Sequence, residues 1–227
     1  MPYDFDKIAR TYDRLNRVMT FGLDRRWRRR AAREVGSGKR VLDVACGTGD
    51  MVVELVKYDC NVTGVDISEE MLAIAKRKVE NGTVVGDLVE PKWKVADAEN
   101  LPFPNDSFDA VTCAFGVRNF VHLEHGLHEM LRVLKPGGRM VILELATPDS
   151  KLLRPFYNFY TKRIIPWLGQ RIAGNRDAYT YLPDSIARFP KGDAFLRIIR
   201  NSEFGIRSCC QRKLTLGVCR LYIVDKK

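Results

Sequence analysis

Two aspartates and the small residues between them are the first candidates for chemistry. The run Val41-Leu42-Asp43-Val44 is apolar enough for a short strand, and it opens directly into Ala45-Cys46-Gly47-Thr48-Gly49-Asp50. Small residues at Ala45, Gly47 and Gly49 let backbone approach a ligand closely. The next strand-like run, Val62-Thr63-Gly64-Val65, ends on Asp66. A carboxylate at the end of a second strand can accept hydrogen bonds from both hydroxyls of a ribose. The pattern predicts a nucleoside site in an open α/β sheet.

The loop also says which nucleosides fit poorly. A dinucleotide fingerprint needs three glycines as G-x-G-x-x-G, with pyrophosphate at the helix N-terminus. Here the first glycine is Ala45 and the third is missing. Asp50 places negative charge where the phosphates would sit. No Gly-Lys-Ser/Thr follows, which excludes a Walker loop. A nucleoside without phosphate fits better. S-adenosylmethionine is one, and its ammonium and sulfonium suit Asp43, Asp50 and backbone carbonyls.

Elements able to position these residues alternate along the chain. Strands are expected at 40–45, 62–65, 93–96, 108–113 and 139–145, with helices at 50–57, 68–79 and 123–134 between them. Ser68 suits an N-cap, with Glu69 and Glu70 in the first turn. Lys135-Pro136-Gly137-Gly138 is a stop signal for the third helix. This alternation predicts a Rossmann-like α/β fold, a mainly parallel sheet with helices on both faces. Ligands in such sheets bind beyond the carboxyl ends of the strands. Asp43 to Gly49, Asp66, Asp97 and Cys113 to Asn119 all map to that edge. Residues 151–190 break the rhythm. They are rich in Tyr, Phe, Ile, Pro and Arg, and are expected to form helices that cap the edge and supply an apolar pocket. A last helix at 191–201 and strands at 206–211 and 218–224 complete the pattern, the final strand antiparallel.

The chain has 227 residues, of which 45% are hydrophobic, enough for a full core in one domain. No apolar run approaches the ~20 residues of a membrane span, and the first residues do not read as a signal peptide, so a cytoplasmic location is expected. None of the six cysteines forms a C-x-x-C pair and only three histidines are present, which argues against a zinc site. The formal net charge of +10 is uneven. Residues 1–40 hold twelve basic and five acidic side chains, residues 41–150 ten and eighteen, and residues 151–227 sixteen and five. Basic flanks on an acidic core fit an anionic membrane surface, a nucleic acid or an acidic substrate. The densest basic run, Arg25 to Arg33 around Trp27, falls in a segment to about residue 34 that reads as helical.

Several motifs together resemble one family, the ubiquinone and menaquinone biosynthesis C-methyltransferases. Leu42 to Asp50 is similar to its cofactor loop, and Ala96-Asp97-Ala98-Glu99-Asn100-Leu101-Pro102-Phe103-Pro104 to its third-strand motif. Phe115-Gly116-Val117-Arg118-Asn119 resembles its F-G-hydrophobic-R-N signature. Tyr179-Thr180-Tyr181-Leu182-Pro183-Asp184-Ser185-Ile186 with Pro190 resembles its Y-x-Y-L-x-x-S-I-x-x-x-P segment. Tyr12-Asp13 and Met19 to Trp27 resemble its opening helices. The family often ends L-T-x-G-hydrophobic-x-A-x-H. Here Leu214 to Tyr222 carries Arg220 and no His, a difference expected to bear on the pocket.

The resemblance implies a class I fold, S-adenosylmethionine as cofactor and methyl transfer to a ring carbon of a lipophilic, polyprenylated quinol. No metal is needed and no nucleic acid is expected. Thr48, beside Gly47 and Gly49, is expected to position the cofactor, Asp66 to hold its ribose and Ile67 to pack near its adenine. Asp97 is expected to accept from the adenine amino group and Ala98 to donate a backbone N–H to the ring. Ala114 is expected near the methionine end. Arg118 is the candidate cation for the developing phenolate, with Asn119 orienting substrate or water; a structural salt bridge is the other reading of Arg118. Tyr179 and Tyr181 are further candidates for substrate contact. A methyltransferase for another small hydrophobic acceptor, an RNA methyltransferase and a non-catalytic cofactor-binding assembly protein are the competing readings.

Overall fold

A computed structural model describes residues 9–83, 89–173 and 177–227. Seven strands form one sheet: β1 (Arg40–Val44), β2 (Asn61–Asp66), β3 (Lys92–Val95), β4 (Phe108–Ala114), β5 (Leu134–Leu145), β6 (Ile206–Leu214) and β7 (Cys219–Lys226). Their spatial order is β3-β2-β1-β4-β5-β7-β6. The pairs from β3 to β5 are parallel, and β7 runs antiparallel to both its neighbours. This is the expected sheet. Because the chain goes outward from β1 to β3 and then returns to the other side of β1 with β4, the edge beside β1 and β4 is the switch point where ligands bind.

Strand period places the core. Neighbours Val41 and Leu42, Ala110 and Val111, Val141 and Ile142, Ile223 and Val224 join opposite apolar clusters. One cluster packs under α5 (Leu123–Arg132) and α9 (Asp193–Arg200), the other under α2 (Leu23–Val35) and α3 (Asp50–Val56). In α2 the buried residues are Asp24, Trp27, Arg28, Ala31, Ala32 and Val35, a stripe at helical spacing. The basic run therefore divides: Arg28 is buried, while Arg26, Arg29, Arg30 and Arg33 lie outward. Ser68 caps α4 (Glu69–Lys78) by accepting the Met71 N–H at 3.0 Å, as its position predicts.

One boundary differs from expectation. Lys135 to Gly138 do not form a stop beyond the helix. α5 has already ended at Arg132, and the tetrapeptide is the start of β5, with Leu134 paired to Phe108 and a register shift before Ala110 pairs with Arg139. Such a bulge takes up the extra residues of one strand. At the N-terminus α1 (Ala9–Met19) precedes α2. After β5, α6 (Arg154–Phe159) continues through a wider stretch, Tyr160–Ile164, into α7 (Ile165–Ala173), and α8 (Asp177–Arg188) follows. α1 packs against α7 and α4.

Candidate active site

The loop after β1 is built by its small residues. Gly47 has φ +55° with open space where a side chain would project, and Gly49, at φ +79°, begins α3. A β-carbon on Gly49 would also sit 3.0 Å from that of Ala75. Asp66, at the end of β2, accepts the Gly47 N–H at 2.8 Å and the Ser68 N–H at 3.0 Å. The expected ribose acid thus braces the loop as well.

A small cleft is lined by Asp43, Ala45, Cys46, Gly47, Thr48, Asp50, Met51 and Ala114, closed by Tyr12 and Arg28. Four expected site residues, Asp43, Gly47, Thr48 and Ala114, meet here. Asp43 is buried and accepts from the Thr112 hydroxyl at 2.6 Å. Its other oxygen has no hydrogen-bond partner among the described residues. Burial pushes its pKa up to about 7, with nearby Asp66 adding and Thr112 and Arg28 opposing. A buried carboxylate with a spare acceptor suits an ammonium. For Asp50, burial opposes ionisation, yet Arg28, Lys78 and Arg17 together hold its pKa below the ordinary carboxylate value.

Thr48, expected to help position the cofactor, has a hydrogen-bond partner for its hydroxyl within the chain. It donates to Asp13 Oδ1 of α1 at 2.5 Å, and Lys78 Nζ sits 2.6 Å from both Asp13 and Asp50. α1 is thereby tied across the loop. Ile67, Asp97 and Ala98 lie further along the same edge, outside this cleft. The Ala96 N–H donates to the Asp66 carbonyl at 3.0 Å, which sets Asp97 just beyond β3. Ile67 and Asp97 are exposed and Ala98 is buried. That spread, from β1 to β3, matches an extended nucleoside.

Beside the cleft lies a second cavity of about 260 Å³. Tyr12 and Arg28 line both. Its walls come from α1 and α2 (Met19, Leu23, Trp27), from Phe115 and Arg118, and from α6 to α8 (Tyr157, Tyr160, Ile165, Leu182, Ile186). Arg118, 6% exposed, donates from Nη1 to Glu144 Oε1 at 2.7 Å and to the Phe115 carbonyl. It is both a wall of the cavity and half of a buried ion pair. Asn119 is buried but lines neither cavity. Burial pushes the Tyr157 hydroxyl up to about 12, with Arg118 opposing.

Arg220, whose departure from the family pattern is expected to bear on the pocket, lines neither cavity. It is 3% exposed and donates to Asp149 at 2.6 Å and to Gln211, and Tyr222 accepts the Gly192 N–H at 2.9 Å. The side chains of Tyr179 and Tyr181 lie outside the described residues. Tyr12, Arg28 and Tyr157 were not singled out as site residues. Arg28 could have been, since it falls on the buried stripe of α2. Glu99, His122 and His125 bring possible ligand atoms within 4.8 Å of one another. Glu99 uses its carboxylate on the Val121 and His122 N–H groups ahead of α5.

A cleft at the glycine loop and an apolar cavity share two walls, and the sequence match says what kind of protein holds them. Residues 3–226 match the model of the ubiE/COQ5 methyltransferase family. The chain belongs to the ubiE/COQ5 methyltransferase family. It is 44% identical to the ubiquinone/menaquinone biosynthesis C-methyltransferase UbiE of Geobacter sulfurreducens, over 98% of this chain and 86% of that protein. It is 42% identical to the demethylmenaquinone methyltransferase of Thermus thermophilus, over 98% and 99%. Among solved structures, SAM-dependent methyltransferases from Thermotoga maritima (TM-score 0.69, 20% identity, 98% of each chain) and Methanosarcina mazei (TM-score 0.60, 20% identity, 86% and 95%) share the fold. As a ubiE/COQ5 family member the chain is an enzyme, and its cofactor is S-adenosylmethionine.

Proposed function

We propose that this methyltransferase transfers the methyl group to a ring carbon of a polyprenylated quinol, a demethylmenaquinol or ubiquinone precursor. The observation that carries the reading is the apolar cavity that meets the cofactor cleft at Tyr12 and Arg28. The names of the relatives supply the acceptor class. The described parts of residues 1–36 and 151–190 serve as a basic helical lead and a substrate cap on a single methyltransferase domain.

Asp43 takes the cofactor's ammonium, Gly47 and Gly49 admit its backbone-close portion, and Asp66 takes the ribose hydroxyls. Asp97 and Ala98 meet the adenine edge, Ile67 packs beside it, and Ala114 borders the methionine end. Bound S-adenosylmethionine supplies an electrophilic methyl on a sulfonium. The acceptor carbon becomes nucleophilic when a neighbouring hydroxyl loses its proton. Arg118 favours that ionisation electrostatically from the cavity wall, and Asn119 supports the turn that presents it. As the new carbon–carbon bond forms, the methyl–sulfur bond breaks with its electron pair kept by sulfur, and the ring carbon then gives its proton to solvent so that aromaticity returns. Holding the two reactants in line contributes the largest share of the rate. No helix among the described residues is long and apolar enough to cross a membrane. The basic flanks bring the enzyme to an anionic bilayer, where the long-tailed quinol resides.

The test is incubation with labelled S-adenosylmethionine and a panel of acceptors: a demethylmenaquinol, a ubiquinone-type quinol, a sterol and RNA. Label should enter a quinol ring. Label in the sterol or RNA alone, or in none, overturns the reading.

A further inference from the structure

A third concavity, of about 460 Å³, opens between the outer face of α2 and the end of β6. Arg26, Arg29, Arg30 and Arg33 line it, with no acidic side chain in the lining. Their ion pairs are long and shared: Arg30 lies 3.3 Å from Glu34, which also meets Arg212, and Arg29 lies 3.8 Å from Glu54, which also meets Lys57. Leu23, Trp27 and Thr215 belong to this groove and to the acceptor cavity alike. Two of these shared residues are joined by a hydrogen bond, from Trp27 Nε1 to Thr215 Oγ1 at 2.9 Å. It is held by a strained turn. Thr215, Leu216 and Gly217 take φ of +45°, +57° and +89° in succession. Left-handed backbone at Thr and Leu is unfavourable and persists only where surroundings impose it. The turn leaves Leu216 74% exposed, and Phe21, in the link between α1 and α2, is 78% exposed.

We propose that this arginine groove binds phosphate, presented by the headgroups of an anionic bilayer, and so sets the mouth of the acceptor cavity on the membrane. Guanidinium groups pair well with phosphate oxygens. Apolar Phe21 and Leu216 beside them enter the acyl boundary. Single-stranded nucleic acid is the competing occupant, since exposed Phe21 offers a face for base stacking; exposed Leu216, which cannot stack, favours the acyl boundary. The proposal rests on the acceptor being lipophilic, so membrane binding and methyl transfer are measured separately and each can fail alone.

The full chain is sedimented with vesicles of phosphatidylglycerol and phosphatidylcholine, or of phosphatidylcholine alone. The variant Arg26→Gln/Arg30→Gln/Arg33→Gln is compared with a control that loses three charges elsewhere, Lys76→Gln/Arg77→Gln/Arg207→Gln. At low salt the groove variant should lose about a hundredfold in affinity for anionic vesicles. The control should lose less than about threefold, and cofactor affinity by calorimetry should match the parent in both. Equal losses in the two variants overturn the proposal, since the net charge rather than the groove would then be responsible. So does inorganic phosphate bound in the groove with no preference for anionic vesicles. Tighter binding to an RNA oligonucleotide than to vesicles overturns it as well.

Discussion

Thr48 of the glycine loop and Asp13 of α1 share a hydrogen bond of 2.5 Å, so the first helix is fastened to the loop that receives the cofactor. Lys78 reinforces the link by contacting both Asp13 and Asp50 at 2.6 Å.

Asp13→Ala should release α1 while leaving the sheet intact. Hydrogen exchange in 9–19 should accelerate at least tenfold, with β1 and β4 unchanged. Global stability should fall by only about 1–2 kcal/mol, as expected for loss of a charge-assisted bond. Unchanged exchange in α1 would mean that packing on α7, rather than the loop, holds it.

Asp43 sets a pH dependence. Its pKa in the folded chain, about 7, lies above the ordinary carboxylate value of 3.8. The folded free protein therefore binds this proton more tightly than the unfolded chain, and stability falls as pH rises from about 4 to 7. Asp43→Asn should stabilise the free protein at pH 8. Cofactor binding needs the carboxylate, so at pH 6 each binding event should release close to one proton, and at pH 8 almost none. Calorimetry in buffers of different ionisation enthalpy measures this. Equal release at both pH values would remove Asp43 from the ammonium site.

Arg118→Ala should lower turnover at least a hundredfold and change cofactor affinity by less than about threefold. Removing one member of the buried pair also leaves Glu144 uncompensated, which costs about 3–5 kcal/mol. Turnover is therefore compared at a temperature where near-ultraviolet circular dichroism shows both proteins folded. A parallel loss of cofactor affinity would move Arg118 to the cofactor site.

Arg220→Ala should reduce stability by about 2 kcal/mol, the scale of its charged hydrogen bonds, and leave the ranking of quinol acceptors unchanged. Asp149 is held at about 2, chiefly by Lys213 against the effect of burial, with Arg220 adding. A lowered carboxylate contributes fully above about pH 4 and loses that contribution as pH falls toward 2. The stability gap between variant and parent, read from urea unfolding, should narrow over that window. An altered acceptor ranking would return Arg220 to the pocket.

The sheet was legible because strand period and glycine punctuation are local. Val41 to Val44, Val62 to Val65 and Phe108 to Cys113 each carry enough apolar character to identify a strand. The β5 boundary was not, because Pro136 and Gly137 read as a stop unless the bulge opposite Phe108 is known. The glycine turn after β1 was legible for the same local reason, as was the place of Asp66 at the end of β2. What the chain order hides is contact between distant segments. Nothing near Thr48 announces Asp13, and nothing near Arg118 announces Glu144, 26 residues on. Arg220 looked like a pocket residue because it departs from a motif. Its burial against Asp149 and Gln211 follows from how β7 lies between β5 and β6, which no local pattern contains.

Tyr12 and Arg28 belong to the walls of both the cofactor cleft and the acceptor cavity. Neither compartment can be filled without touching side chains that shape the other. By thermodynamic reciprocity, whatever factor the cofactor imposes on acceptor affinity, the acceptor must return. Two ligands held in these compartments would each report on the other through the same pair of side chains.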